Sequence, residues 1–356
     1  MLPPYSRRSH SFQPDCHGAH DAPARIHGKI PSALNALYYA QRASAALIIS
    51  ESTEVDPFSA IDVPTRPGLT NDEQEAGWRL VTDAVHAAGG KIYIQLSHMG
   101  RTAHPSQLLN GRQPVGPSAL AAAGTVYTAK GAEPYAAPRA LEIAEIGDIV
   151  AEFAEAAARA RSAGFDGIEI HGANGYLIDQ FLRDGSNVRD DAYGGSVKNR
   201  TRFLLEIIEA AKAHWPGNRI GVRLSPTNTY QGMSDSDPVR HFAEIAGLLG
   251  PEGLAYLHVV APPVQPEQYV NVVDSTPAAF HRPLILAGGY KRDDAERALT
   301  TGTADLIAFG EAFISNPDLP QRWYQRATLN AADKSTFYTQ GAKGYTDYAS
   351  LELVAD

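Results

Sequence analysis

A parallel α/β barrel is the fold this sequence predicts, and three observations carry the prediction. Short apolar runs alternate with helix-period segments along nearly the whole chain, the pattern of strands joined by helical crossovers. The length of 356 residues suits one α/β barrel with insertions, or two ordinary domains. An apolar content of 44 % allows a large core.

Seven runs read as strands: "LIIS" (47–50), "KIYIQL" (91–96), "GIEIH" (167–171), "RIGVRL" (219–224), "AYLHVV" (255–260), "PLILA" (283–287) and "DLIAF" (305–309). Helical periodicity places helices near 31–46, 71–88, 143–163, 200–214, 237–249, 291–301 and 317–326. A closed (β/α)₈ barrel needs an eighth strand. The one candidate is the opening stub "MLPPYS", which is short and holds two prolines, so the first strand is expected to be short or incomplete. The reading is one barrel domain over 1–356, with an atypical segment at 1–30 and a capping excursion at 97–140 after strand three. That excursion is rich in Gly, Pro and Ala, with a small hairpin expected near "TVYTAKGAEPYAAPRAL".

Net charge is 31 − 40 = −9 without long blocks, which argues against a nucleic-acid partner. No apolar run approaches a membrane span, and no apolar stretch follows Arg7 and Arg8 as an export signal would require. Cys16 is the single cysteine, so no internal disulfide forms and a cytoplasmic setting is expected. His10, Cys16, His17 and His20 match no standard ligand spacing, so no metal is expected and residues 8–30 read as a floppy loop.

Barrel enzymes carry their chemistry at strand C-terminal ends. Period-2 alternation turns Ile92, Ile94 and Leu96 outward and Tyr93, Gln95 and Ser97 inward. The same rule turns Glu169, His171 and Arg223 inward. Three strands thus aim Gln95, His171 and Arg223 at one mouth. Gly288 and Gly289 follow strand seven and Gly310 follows strand eight, the usual phosphate-binding loops of this fold. No G-x-G-x-x-G follows a strand, so a Rossmann dinucleotide site is not indicated.

The stretches "QLSHMGRTAHPS", "GFDGIEIHGANGYLIDQFLRDGSNVRDDAYGGSVKNRTRFLLEII", "LAGGY", "FGEAFISNPDLPQR" and "TFYTQGAKGYTDY" resemble the old yellow enzyme family of FMN-dependent ene-reductases. The match runs in order from about residue 31 to 350, and HGANGYL…QFL…YGGS is its most specific signature. The resemblance implies a single (β/α)₈ barrel with bound FMN. It also implies hydride delivery from NADPH through the flavin to the β-carbon of an α,β-unsaturated carbonyl or nitro compound. It implies that His171 and Asn174 donate to the substrate oxygen and that Tyr176 protonates the α-carbon. Cofactor contacts are implied for Pro4, Ser6, Ser52, Gln95, Arg223, Gly288, Gly289, Gly310 and Glu311, and substrate contacts for Ser97 and Tyr338. The partners implied are small activated alkenes, and the assembly a monomer or homodimer.

Four features depart from the family pattern. "MLPPYSR" stands for the family's first strand, with Ser6 in place of a threonine and Pro4 matching a proline. Residues 8–30 exceed the usual loop. Glu311 stands where the family has a phosphate-gripping arginine, its repulsion to be offset by Lys291 or Arg292. Ser97 replaces a tryptophan, which is expected to widen the pocket. The alternative reading is a barrel remnant with weak or no flavin binding and no activity. A 2-hydroxy-acid oxidase is disfavoured because the mouth lacks carboxylate-binding arginines. A Schiff-base aldolase is disfavoured because no strand ends in an inward lysine.

Overall fold

Eight parallel strands close into a barrel in which each pairs with its neighbours in sequence and the last with the first. The computed structural model describes residues 10–12, 27–58, 66–261, 279–280, 283–337 and 341–351. The strands are β1 (His10–Phe12), β2 (Leu47–Glu54), β3 (Ile92–Ser97), β4 (Gly167–Gly172), β5 (Ile220–Leu224), β6 (Tyr256–Val260), β7 (Leu284–Ala287) and β8 (Leu306–Phe309). Around them lie α1 (Ala33–Ala40), α2 (Asp72–Ala87), α3 (Ile143–Ser162), α4 (Leu177–Leu182), α5 (Val197–Lys212), α6 (Pro238–Leu249), α7 (Arg292–Thr300), α8 (Glu311–Ser315) and α9 (Leu319–Gln325). No helix among the described residues is long and apolar enough to cross a membrane.

The first strand corrects the sequence-based expectation. It lies at His10–Phe12, inside the segment expected to be a loop, and pairs on both sides. His10 stands opposite Ile307 of β8, and Phe12 opposite Ile48 of β2. The stub at 1–6, expected to supply this strand, lies outside the described residues, as do Pro4 and Ser6. The edges of β2 and β8 are covered by three residues of backbone. That pairing, rather than any apolar pattern in "HSF", makes these residues a strand.

Outward residues of the central strands and inward faces of the helices form one core. Ile94, Ile168, Ile170 and Val222 pack with Trp78 and Val81 of α2, Phe153 of α3 and Phe203 of α5. Each such side chain contributes about 1.5–3 kcal/mol on burial. Helix starts are fixed by side-chain caps. Asn71 accepts from the Gln74 N–H at 2.9 Å, Ser196 from Asn199 at 3.2 Å, and Asp237 from Arg240 at 3.2 Å with Pro238 in the first turn.

Ile49, Tyr93, Tyr256, Ile285, Ala287 and Ala308 form a second, smaller apolar cluster. Tyr93 and Tyr256 stack at 6.0 Å between centroids. Their rings need glycine opposite. A Cβ on Gly167 would lie 2.3 Å from Tyr93, and one on Gly221 2.3 Å from Tyr256.

The excursion after β3 carries the expected hairpin, Thr125–Thr128 against Gly131–Pro134. Val115–Gly116 pairs with Arg139–Ala140 at its base. Arg101 ties it to the loop after β5, donating to the Leu120 carbonyl at 3.3 Å and to the Met233 sulfur at 3.3 Å.

Removing residues 1–12 deletes β1 and opens two strand edges. The expected outcome is a fall in Tm of about 5 °C or more, with early light scattering on heating. An unchanged Tm without aggregation would show that β1 does not close the barrel in solution.

Candidate active site

Inward residues at the strand ends build the mouth layer by layer. In the sheet register Gln95 stands beside Glu169, which stands beside Gly221. One layer up, His171 stands beside Arg223, and Arg223 beside His258. All five side chains in these two layers are buried. The Glu169 carboxylate accepts from Gln95 Nε2 at 2.7 Å and from His258 Nδ1 at 2.9 Å. The Gln95 atom facing it is the NH₂, so its Oε1 is left as an acceptor. Ser52, beside Gln95 in the register, shares a 2.6 Å hydrogen bond with Ser97. Ser97 also donates to the Thr53 carbonyl at 3.3 Å and is fully buried, tying the ends of β2 and β3 together.

His171 is 2 % exposed. Its Nδ1 accepts the Ala173 N–H at 3.2 Å, so the ring proton sits on Nε2. Burial lowers its pKa well below the usual imidazole range, and the Arg223 and Arg66 cations and nearby His258 push it the same way. The ring is a neutral donor through Nε2.

Asn174 takes the left-handed region at φ 56, a conformation its short polar side chain tolerates. Its N–H donates to Ser225 Oγ at 2.7 Å. The Tyr230 N–H donates to Asn228 Oδ1 at 2.8 Å, which turns Asn228 Nδ2 toward Asn174 Oδ1 at 3.0 Å. Asn174 Nδ2 is thereby the free-facing half of that amide, a donor.

Tyr176 sits at the N-cap of α4 and is 8 % exposed. Its ring meets His171 edge-on at 4.9 Å. Its hydroxyl accepts from an Arg66 NH₂ group at 2.9 Å. The chain between these groups is pinned from below. Asp179 accepts the Gly175 N–H at 2.8 Å and pairs with Arg183 at 2.8 Å, all buried. Downstream, Asn187 donates to the Phe181 and Tyr193 carbonyls at 2.8 Å, and Arg189 holds Asp191. The charges of this run hold its loop.

At the far side of the mouth, Gly288 and Gly289 follow β7 with φ 119 and 82. Nothing lies within 4 Å of where a Cβ on Gly289 would stand, so the backbone there is open to a close-approaching group. Gly310 precedes α8, and Glu311 begins it. The Glu311 carboxylate lies 2.7 Å from Lys334, and both are well exposed. Lys334 neutralises Glu311, while Arg292 is engaged by Glu296 at 2.8 Å. Tyr338 lies outside the described residues.

Two groups of carboxylates with a histidine come within ligand distance of one another among the described residues, Asp56/His98/Glu152 and Asp184/Asp235/His241. Each histidine has at least one ring nitrogen in a protein hydrogen bond. His98 Nδ1 accepts from the Gly100 N–H at 3.0 Å, and His241 Nδ1 bonds Asp235 at 2.6 Å.

An acceptor at Gln95, a cation at Arg223 and an open glycine turn across the mouth suit a planar, phosphate-bearing redox cofactor, as in the flavin-binding α/β barrels. The model of the NADH:flavin oxidoreductase / NADH oxidase family matches residues 16–330. A flavin oxidoreductase of Emericella nidulans, hxnT, is 42 % identical over 349 residues, covering 90 % of this chain and 88 % of that one. 12-Oxophytodienoate reductase 2 of Arabidopsis thaliana is 38 % identical over 343 residues, covering 93 % and 90 %. The structure of morphinone reductase in complex with tetrahydroNAD superposes with a TM-score of 0.90 at 42 % identity, covering 98 % of this chain and 95 % of that one. The chain belongs to the NADH:flavin oxidoreductase family, the old yellow enzymes, which are FMN flavoproteins of TIM-barrel fold.

Sequence reasoning missed Arg66 and Asn228. Both lie on loops that follow strand C-terminal ends, and a cation two residues before Gly68 in such a loop was the available signal for Arg66.

His171 should stay neutral with its proton on Nε2 at pH 6, as ¹⁵N NMR of histidine-labelled protein would show. The unfolded chain binds the proton near pH 6.5 and the folded one at lower pH. This group therefore costs stability as pH falls below that value, and none above it. A His171 resonance titrating above pH 6 would contradict the assignment.

Proposed function

We propose that this protein is an NADPH-dependent ene-reductase acting on α,β-unsaturated carbonyl and nitro compounds in the cytoplasm. The observation that carries the reading is the short run after β4. It brings a neutral Nε2–H donor, a carboxamide donor and a phenol together, with the His171 and Tyr176 rings 4.9 Å apart. Bound FMN would supply hydride at the substrate's β-carbon, after taking it from the nicotinamide.

The chain's residues supply the rest. Ser52, Gln95 and Arg223 would hold the flavin ring, and Gly288, Gly289 and Gly310 its phosphate, with Pro4 and Ser6 contributing from outside the described residues. Arg223 would offer a buried positive charge to stabilise negative charge on the flavin ring. His171 Nε2–H and Asn174 Nδ2 donate to the substrate's carbonyl or nitro oxygen. Negative charge develops on that oxygen as the β-carbon gains hydride, so each preorganised donor lowers the barrier by about 3 kcal/mol. Tyr176 passes its proton to the α-carbon as general acid. Ser97 and Tyr338 complete the substrate side in this reading. The barrel-remnant alternative drew support from a missing first strand, and the pairing of β1 on both edges removes that support.

Tyr176→Phe tests the reading through the two half-reactions. Flavin reduction by NADPH should stay within about twofold of the parent, while oxidation by 2-cyclohexenone should slow about 100-fold or more. Nitroalkenes, whose nitronate can take a proton from water, should suffer less. Equal slowing of both half-reactions in stopped flow would overturn the role of Tyr176.

A further inference from the structure

Arg66 comes from the segment between β2 and α2, far in sequence from Tyr176, yet it meets the Tyr176 side chain in two ways. One NH₂ group donates to the phenol oxygen at 2.9 Å, and the guanidinium carbon lies 5.0 Å from the ring centroid. Arg66 is itself only 4 % exposed. Its other terminal nitrogen contacts the Met99 sulfur, which helps fix the guanidinium against the ring.

We propose that Arg66 is a positioning residue that holds the Tyr176 hydroxyl and makes it a stronger acid, resting on the reading of Tyr176 as proton donor. The argument is one of directions. An arginine has only N–H donors, so the phenol oxygen accepts, and the phenol's own hydrogen is left to point elsewhere. The hydrogen bond therefore fixes the rotor as well as the ring. In the transfer the O–H bond of Tyr176 breaks and a C–H bond forms at the α-carbon, while hydride adds at the β-carbon. The phenolate left behind keeps its charge beside the guanidinium until water returns the proton. A cation at hydrogen-bond distance in a buried place favours that anion strongly, because little solvent screens the pair. Arg66, His171 from β4 and Tyr135 from the excursion are set against Tyr176. His171 is neutral, and Tyr135, held up to about 12, is neutral also, so Arg66 is the charge among them.

The test is ¹³C NMR of the FMN-loaded protein carrying [ζ-¹³C]tyrosine, with the Tyr176 resonance assigned by its loss in Tyr176→Phe. In Arg66→Met the titration midpoint of Tyr176 should rise by about one pH unit or more, a tenfold loss of acidity. Arg66→Lys, which keeps the charge but not the planar fork, should restore part of it. The pH profile of enone reduction should move by the same amount, with flavin reduction by NADPH unchanged. Should Arg66→Met fail to fold, Arg66→Lys carries the test, with a smaller rise expected. An unmoved midpoint in a folded variant overturns the proposal while leaving Tyr176 as acid. A moved midpoint in a protein whose enone step is indifferent to Tyr176→Phe overturns the proton-donor reading, and with it any catalytic part for Arg66.

Discussion

The Glu169 carboxylate is the constraint on which the mouth of the barrel depends. It is fully buried, and a polar group in such a place is tolerated only with hydrogen-bond partners. Two strands supply them, Gln95 from β3 and His258 from β6, at 2.7 and 2.9 Å. The bonds therefore cross the barrel, and each fixes the direction of a side chain that faces the layer above. Gln95 is turned to present its carbonyl oxygen. The layer that follows, His171 and Arg223, stands on this one in register. Gly221 makes the crossing possible, since a side chain there would collide with Tyr256 in the same layer.

The run His171–Tyr176 at the end of β4 is shaped by a second set of contacts that come from elsewhere in the chain. Asn174 stands at a positive φ, a strained place for a residue with a side chain. It is held there by Ser225 and Asn228 of the loop after β5. Gly175 is held by Asp179, and Tyr176 by Arg66. A motif of six residues thus has its geometry written by three other segments. The same arrangement explains the electrostatics. Burial, helped by two nearby arginines, keeps His171 neutral, and a neutral imidazole with Nδ1 occupied is a donor in a defined direction.

Much of this was legible in the sequence, and the parts that were not share a cause. The seven longer strands and the seven helices read from periodicity each bury one face against the other layer, whereas the short α4 and α8 carry too few turns to show a period. Gln95, His171 and Arg223 were found by the same period, since alternation states which way a strand residue points. β1 was misplaced because three residues carry no period. Its strand character comes from the backbone edges of β2 and β8 on either side. Arg66 and Asn228 sit in loops, where no rule of alternation gives direction, and their partners lie more than fifty residues away. Lys334 neutralises Glu311 from the C-terminal segment, a pairing that neither local sequence announces.

The central claim is that one face of this mouth directs hydride to the β-carbon while the protein itself delivers a solvent-derived proton to the α-carbon. Isotope placement tests it most directly. With 2-methyl-2-cyclohexenone, reduction by nicotinamide deuterated at the transferred position in ordinary water should put deuterium at the β-carbon alone. Reduction by the unlabelled cofactor in D₂O should put it at the α-carbon, in a single configuration. Deuterium from the cofactor at the α-carbon, or an α-centre labelled in both configurations from the earliest turnovers, would contradict the account.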